Sequence, residues 1–140
     1  MSDEPLRPDP DRLLQHTAAP HRGKLKVFFG ACAGVGKTWA MLAEAQRLRA
    51  QGLDILIGVA ETHGRKETAA MLQGLSTLPP RRLAHRGRYV YEFDLDAALA
   101  RRPALILVDE LAHSNAPGSR HPKRWQDVDE LLEAGIDVFT

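Results

Sequence analysis

Lys26–Ala40 reads KVFFGACAGVGKTWA, and the fold turns on this stretch. Residues 26–29 (KVFF) have the apolar, aromatic character of a buried strand. Residues 31–38 then read ACAGVGKT, and a helical pattern follows at once. Strand, glycine-containing loop ending in Gly-Lys-Thr, and helix together form the context of a phosphate-binding loop. Its glycines let the backbone turn so that successive N–H groups face phosphate oxygens. Ala31, Cys32, Ala33, Gly34, Val35 and Gly36 would form that cradle. The helix adds its N-terminal N–H groups and the positive end of its dipole. Lys37 is expected to reach the terminal phosphates, and the Thr38 hydroxyl to sit on Mg²⁺. The pattern departs at one point: the usual first glycine falls at Ala31, with Gly30 one position early. Alanine suits that place if its φ is negative.

A chain of 140 residues is one domain or less. An apolar fraction of 44% suits a packed core. The net charge of +1 gives no electrostatic case for a nucleic-acid partner. The single cysteine, Cys32, excludes an internal disulfide and fits a reducing compartment. Its place beside Lys37 and a helix N-terminus favours the thiolate, so a redox role is weighed against a small residue that simply fits. No apolar run approaches the length that spans a bilayer, and MSDEPLRPDPDR is too acidic and proline-broken for a signal peptide. The chain therefore reads as cytoplasmic, with no membrane insertion of its own.

Residues 1–23, with Pro5, Pro8, Pro10 and Pro20, read as a flexible leader before a domain over 24–140. Leu13 and Leu14 suit one helical turn, and His16 and His21 read as solvated. Residues 37–51 form a helix with Met41, Ala45 and Leu48 on one face and Gly52 just past its end. Residues 54–60 (DILIGVA) are a second buried strand, leading into Glu61-Thr62-His63-Gly64-Arg65. Ligands gather at the carboxyl ends of strands in α/β sheets, so Glu61, His63 and Arg65 are candidate nucleotide contacts. A helix over 66–75 turns Met71, Leu72 and Leu75 inward, until Pro79 and Pro80 end the segment. Leu83–His85 and Tyr89–Tyr91 suit short strands around Gly87, with arginines 81, 82, 86 and 88 on a solvated face. Asp94 or Asp96 caps a short helix that Pro103 stops.

Residues 104–108 (ALILV) are a third buried strand, ending in Asp109-Glu110. With a phosphate-binding loop upstream, Asp109 is placed to hold Mg²⁺, and Glu110 to orient and deprotonate an attacking water as the candidate catalytic base. Residues 111–123 (LAHSNAPGSRHPK) are a polar loop leaving that pair. His113, Asn115, Arg120 and His121 are candidates for sensing the γ-phosphate, or else surface residues. A helix over 125–134 turns Trp125, Val128, Leu131 and Leu132 inward, and residues 136–140 begin a fourth strand. A fold of this kind would continue there, so the domain is expected to be incomplete at its C-terminal end. The fold class is α/β, P-loop NTPase-like, with a mainly parallel sheet and helices on both faces. A Glu directly after the strand-ending Asp is typical of ATPases with an extra strand between the loop strand and the Asp strand. Residues 136–140 are expected to be that strand.

VFFGACAGVGKTWAML (27–42), VAETHGRKETAAML (59–72) and LILVDELAHSNAPGSRHPKRWQDVDELL (105–132) together resemble the N-terminal cytoplasmic domain of the KdpD family. These are membrane-bound bacterial sensor histidine kinases for potassium limitation and osmotic stress. The resemblance runs from about Lys24 to Thr140, and ETHGR and DELAHSNAPGSRHPKRW are its distinguishing segments. It implies an ATP-binding sensor module within a cytoplasmic part of an inner-membrane protein. It further implies a parent with a stress-protein-like domain, four membrane helices and a kinase core acting on the response regulator KdpE. The phosphoacceptor histidine lies in that core, so none of the six histidines here takes that role. Two function classes follow. In one, ATP or ADP occupancy biases the parent's balance of kinase and phosphatase output. In the other, the domain is an ATPase or protein phosphotransferase using Glu110. A docking domain with a vestigial loop is a third.

Overall fold

A computed structural model describes residues 21–30 and 36–140. Its centre is a five-stranded sheet in which every neighbouring pair is parallel. The strands are β1 (Leu25–Lys26), β2 (Ile55–Val59), β3 (Ser76–Thr77), β6 (Leu105–Val108) and β7 (Asp137–Phe139). Their spatial order is β1-β7-β6-β2-β3. Two further strands, β4 (Arg81–His85) and β5 (Arg88–Glu92), form a separate antiparallel hairpin. The helices among the described residues are α1 (Lys37–Ala50), α2 (Lys66–Ala70), α3 (Leu95–Arg101) and α4 (Arg124–Glu133).

Alternation along the central strands explains why both faces are covered. Leu56, Ile106, Val108 and Val138 point to one side and pack with Phe93, Leu95, Ala98, Val128, Leu131 and Leu132, from the α3–α4 layer. Ile55, Ile57, Leu105, Leu107 and Phe139 point to the other and pack with Met41, Leu42 and Ala45 of α1. The expected α/β class with a parallel sheet and helices on both faces is therefore observed. So is the inserted strand: β7 lies between β1 and β6.

Several local expectations are corrected. Residues 26–29 are not a buried strand. Among the described residues β1 is a sheet edge: Val27 is 42% and Phe29 86% exposed, and Phe28 turns inward, its ring centroid 5.0 Å from that of Phe139. Pairing continues to Phe28, whose N–H donates to the Thr140 carbonyl at 2.7 Å. α2 stops at Ala70, short of Leu75, because residues 71–74 tighten into turns and Gly74 takes φ +82°. In α4 the buried stripe is Arg124, Asp127, Val128, Leu131 and Leu132, which leaves Trp125 52% exposed. The leader expected over 1–23 has its last residues tied down. The Gly23 N–H donates to the Leu132 carbonyl at 2.7 Å. A Cβ there would stand 2.0 Å from the Ile136 carbonyl oxygen, so only glycine allows this approach. Leu13, Leu14 and His16 lie outside the described residues.

Other elements form as the sequence predicts. α1 ends in a Schellman arrangement, with Gly52 N–H to Arg49 O at 2.9 Å and Leu53 N–H to Leu48 O at 3.2 Å. The Asp94 carboxylate caps α3 by accepting from the Ala97 N–H at 3.1 Å. The β4–β5 hairpin turns through Arg86 and Gly87, both at positive φ.

Candidate functional site

Where β2 and β6 end side by side, their following loops meet the start of α1. Their register pairs Val59 with Val108, and the Asp109 N–H donates to the Val59 carbonyl at 3.0 Å. That bond sets Glu61 and its neighbours beside Asp109-Glu110. The cleft so formed is lined by Lys37, Thr38, Trp39, Glu61, Thr62 and His63, and completed by Gly36, Arg65, Thr68, Asp109 and Glu110. It lies at the carboxyl ends of parallel strands, where α/β sheets hold ligands.

Asp109 is its organising group. The carboxylate is almost wholly buried, and Lys37 Nζ lies 2.5 Å from its Oδ1. The Thr38 hydroxyl donates to Oδ2 at 3.3 Å, and the Glu110 N–H donates to Oδ1 at 2.8 Å. Burial alone would raise the Asp109 pKa. The Lys37 hydrogen bond, the Glu110 N–H, the charge of Lys37 and the Glu61 backbone outweigh it and hold the carboxyl below its ordinary value. α1 begins at Lys37 with Gly36 at φ +81°, no side-chain cap and no acidic residue in its first turn. Its N-terminal donors and dipole are thus not neutralised from within the helix.

Two of the lining residues hold unusual backbone. His63 (φ 53°) and Glu110 (φ 60°) are non-glycine residues in the left-handed region. Among the described residues the other two are Arg86 and Arg102, at a hairpin turn and a helix C-cap, where that conformation is ordinary. Strain in the cleft marks a place where side-chain direction matters more than backbone comfort. His63 is fixed by its N–H donating to Glu61 Oε1 at 3.1 Å. The Glu110 side chain is half exposed and faces the cleft.

Behind the cleft stands Arg124, nearly fully buried. Its Nη1 donates to the Asp109 carbonyl at 3.1 Å and lies 3.7 Å from Glu110 Oε1, while Nη2 lies 3.6 Å from Glu92 Oε1. Burial lowers its pKa against the pull of Glu92, Glu110, Asp127 and Asp109. A guanidinium remains charged even so.

The structure thus brings together Gly36, Lys37, Thr38, Glu61, His63, Arg65, Asp109 and Glu110. Ala31, Cys32, Ala33, Gly34 and Val35 lie outside the described residues. His113, Asn115, Arg120 and His121 are not in the cleft. His113 Nε2 meets Glu92 Oε1 at 2.9 Å, and Asn115 donates to Asp127 at 3.0 Å. Arg120 joins Asp96 and Glu130, and His121 joins Glu130. The loop over 111–123 closes on itself instead, with Asn115 N–H to Pro122 O at 2.9 Å and Arg124 N–H to His113 O at 3.0 Å. His113, Asn115, Arg120, His121 and Lys123 bond within the loop, to the hairpin end, to α3 and to α4 rather than reaching across the cleft, while Asn115 Oδ1 and Ser119 Oγ are buried with no partner among the described residues. Thr62 lines the cleft with the 61–65 cluster, as expected, whereas sequence reasoning missed Trp39 and Thr68 as lining residues, and Arg124 as the group behind them. The helical spacing of Thr68 from Arg65 was a usable signal. Arg124, in a basic stretch, carried none.

Among the described residues, no group of three His, Cys, Asp or Glu side chains gathers to hold a metal. No helix there is long and apolar enough to cross a membrane.

A family model described as KdpD, osmosensitive K⁺ channel His kinase sensor domain, matches residues 21–140. The chain is 85% identical over 140 residues to a protein of Escherichia coli named Sensor protein KdpD, matching along its full length and covering 16% of that relative. Proteins of the same name from Mycobacterium tuberculosis and Clostridium acetobutylicum are each 50% identical, over 128 and 138 residues. These matches take in 91% and 96% of the chain and 15% of each relative.

Proposed function

The chain belongs to the KdpD family of osmosensitive K⁺ channel histidine-kinase sensor domains, and on that premise we propose that it is the family's ATP-binding regulatory module, built on a P-loop NTPase-like core. The observation that carries this reading is the convergence of Lys37 and Thr38 on Asp109, at 2.5 and 3.3 Å. A lysine and a hydroxyl at a helix N-terminus, facing a buried carboxylate at a strand end, match what Mg²⁺ and a polyphosphate require. Thr38 and Asp109 would hold the cation. Two oxygen donors suit Mg²⁺, which takes its other ligands from phosphate and water rather than from an all-protein cage. Lys37, released from Asp109 as the cation takes up that charge, would bind the terminal phosphates with the α1 N-terminus. Glu61, His63 and Arg65 would line the same end of the site. Bound ATP supplies the charge that moves this ion pair; the chain's residues bind it and register its presence.

In the full-length protein, this module would sit on the cytoplasmic side of the inner membrane and bias kinase against phosphatase output toward the response regulator KdpE. The pathway would be a two-component system for potassium uptake. Ligand occupancy shifts such a balance only through its differential affinity for the two states.

Thermal unfolding tests the binding step. At a hundredfold excess over its Kd, a ligand adds about 2.7 kcal/mol of stability. Mg·ATP is expected to raise the Tm of the wild-type chain and leave that of Lys37→Ala unmoved. An equal rise in both would contradict the proposal. One observation favours a second reading, an ATPase or protein phosphotransferase: the Glu110 carboxylate faces the cleft on strained backbone. Phosphate release abolished in Glu110→Gln with ATP binding intact would select it. A wild type with no release selects the sensor.

A further inference from the structure

The guanidinium of Arg124 is suspended between two carboxylates from different parts of the molecule. Glu110 Oε1 is 3.7 Å away on the cleft side, and Glu92 Oε1 is 3.6 Å away at the end of β5. Both distances exceed a hydrogen bond, and Arg124 Nε is buried with no partner among the described residues. The one hydrogen bond the guanidinium makes among the described residues is to the Asp109 carbonyl. A buried cation that pairs closely with neither neighbour has two nearly equivalent places to go.

Glu92 is the other end of the lever. Its Oε1 meets His113 Nε2 at 2.9 Å, and its Oε2 accepts from the Ala116 N–H at 2.7 Å. Glu92 therefore joins β5 to the 111–123 loop. Any movement of Arg124 toward or away from Glu92 changes what holds that loop and hairpin together.

We propose that Arg124 is a positioning residue shared between Glu110 and Glu92, and that it carries the charge state of the cleft to the β4–β5 hairpin and the 111–123 loop. Its nucleotide end rests on the function proposed above; its shared-cation end does not. A cation entering beside Asp109 competes with Arg124 for Glu110. The guanidinium then closes on Glu92 and tightens the loop. Neutralising Glu110 by substitution does the same with no ligand present, which separates the two ideas experimentally.

Amide hydrogen exchange on the 140-residue chain, read at Ala116 and across 81–92, tests this without nucleotide. Glu110→Gln is expected to slow exchange at Ala116 about fivefold or more, the lower range of ordinary site-to-site coupling. The effect should vanish in Glu110→Gln combined with Arg124→Lys, and in Glu110→Gln combined with Glu92→Gln, which keeps shape while removing the second carboxylate. No change at Ala116 in Glu110→Gln would overturn the proposal, as would the same slowing in both double variants. Should Mg·ATP fail to bind while Glu110→Gln still slows Ala116, the shared cation stands and the nucleotide reading falls.

Discussion

Lys37 and Asp109 form the ion pair on which the cleft depends, and the linkage of Asp109 to pH makes it measurable. The folded state holds its carboxyl below the ordinary range, so the unfolded chain binds its proton first as pH falls. The stability this contributes is present above the unfolded pKa and is lost as pH falls through the native one. Urea unfolding across that acidic window should show the wild type losing stability relative to Asp109→Asn. Parallel curves for the two would mean that Asp109 titrates alike folded and unfolded. A second residue-scale prediction concerns Gly58, in β2. A Cβ there would meet Phe93 Cε1 at 2.6 Å and Ile106 Cδ1 at 3.2 Å. Phe93 is buried and closes the hairpin end over the sheet, so its ring has little room to yield. Gly58→Ala should cost about 1–3 kcal/mol by overpacking, read as a lower urea midpoint.

At the scale of elements, the β4–β5 hairpin carries a backbone compromise. His85 pairs with Arg88 across a two-residue loop, and Arg86 (φ 52°) and Gly87 (φ 77°) both take the left-handed conformation. Such turns favour Asn-Gly, and an arginine there is held against its preference. Arg86→Asn is expected to stabilise the chain by about 1 kcal/mol, the lower end of the left-handed penalty that Asn largely escapes; an unchanged or lower urea midpoint would contradict this reading of the turn.

The same elements mark what sequence could reveal. β2 and β6 are buried on both faces and read as unbroken apolar runs, so they were legible along with the acidic pair that β6 delivers. The order that inserts β7 between β1 and β6 was legible from Glu110 following Asp109. β1 was not, because an edge strand carries apolar residues without burying them: Phe29 is 86% exposed. Trp125 misled in a related way. Hydrophobic character placed it inward, but the arc 124, 127, 128, 131, 132 faces the sheet, with Arg124 and Asp127 inside it as partners for the end of β6 and for the loop. Within the cleft, Lys37, Thr38, Asp109 and the 61–65 cluster were legible through spacing and strand ends. The use of His113 and Arg120 was not, because their partners Glu92, Asp96 and Glu130 come from segments that only tertiary folding brings near.

For the whole molecule, one sheet with two helical layers serves to fix three loop ends in one place. The first follows β1 into α1, the second follows β2, and the third follows β6. The chain matches sensor proteins six or seven times its length, as coverage of 16% and 15% implies, so what the cleft registers would act through domains beyond it. The sensing role proposed for the cleft depends on whether it takes a nucleotide through Lys37. Trp39 lines the cleft and is 47% exposed, which makes its fluorescence a local reporter. Titrating wild type and Lys37→Ala with ATP in the presence of Mg²⁺ is the direct measurement. A saturable change in wild type that is absent from the folded variant is the predicted result; a folded wild type that gives no saturable binding, or a variant that binds equally well, would contradict it.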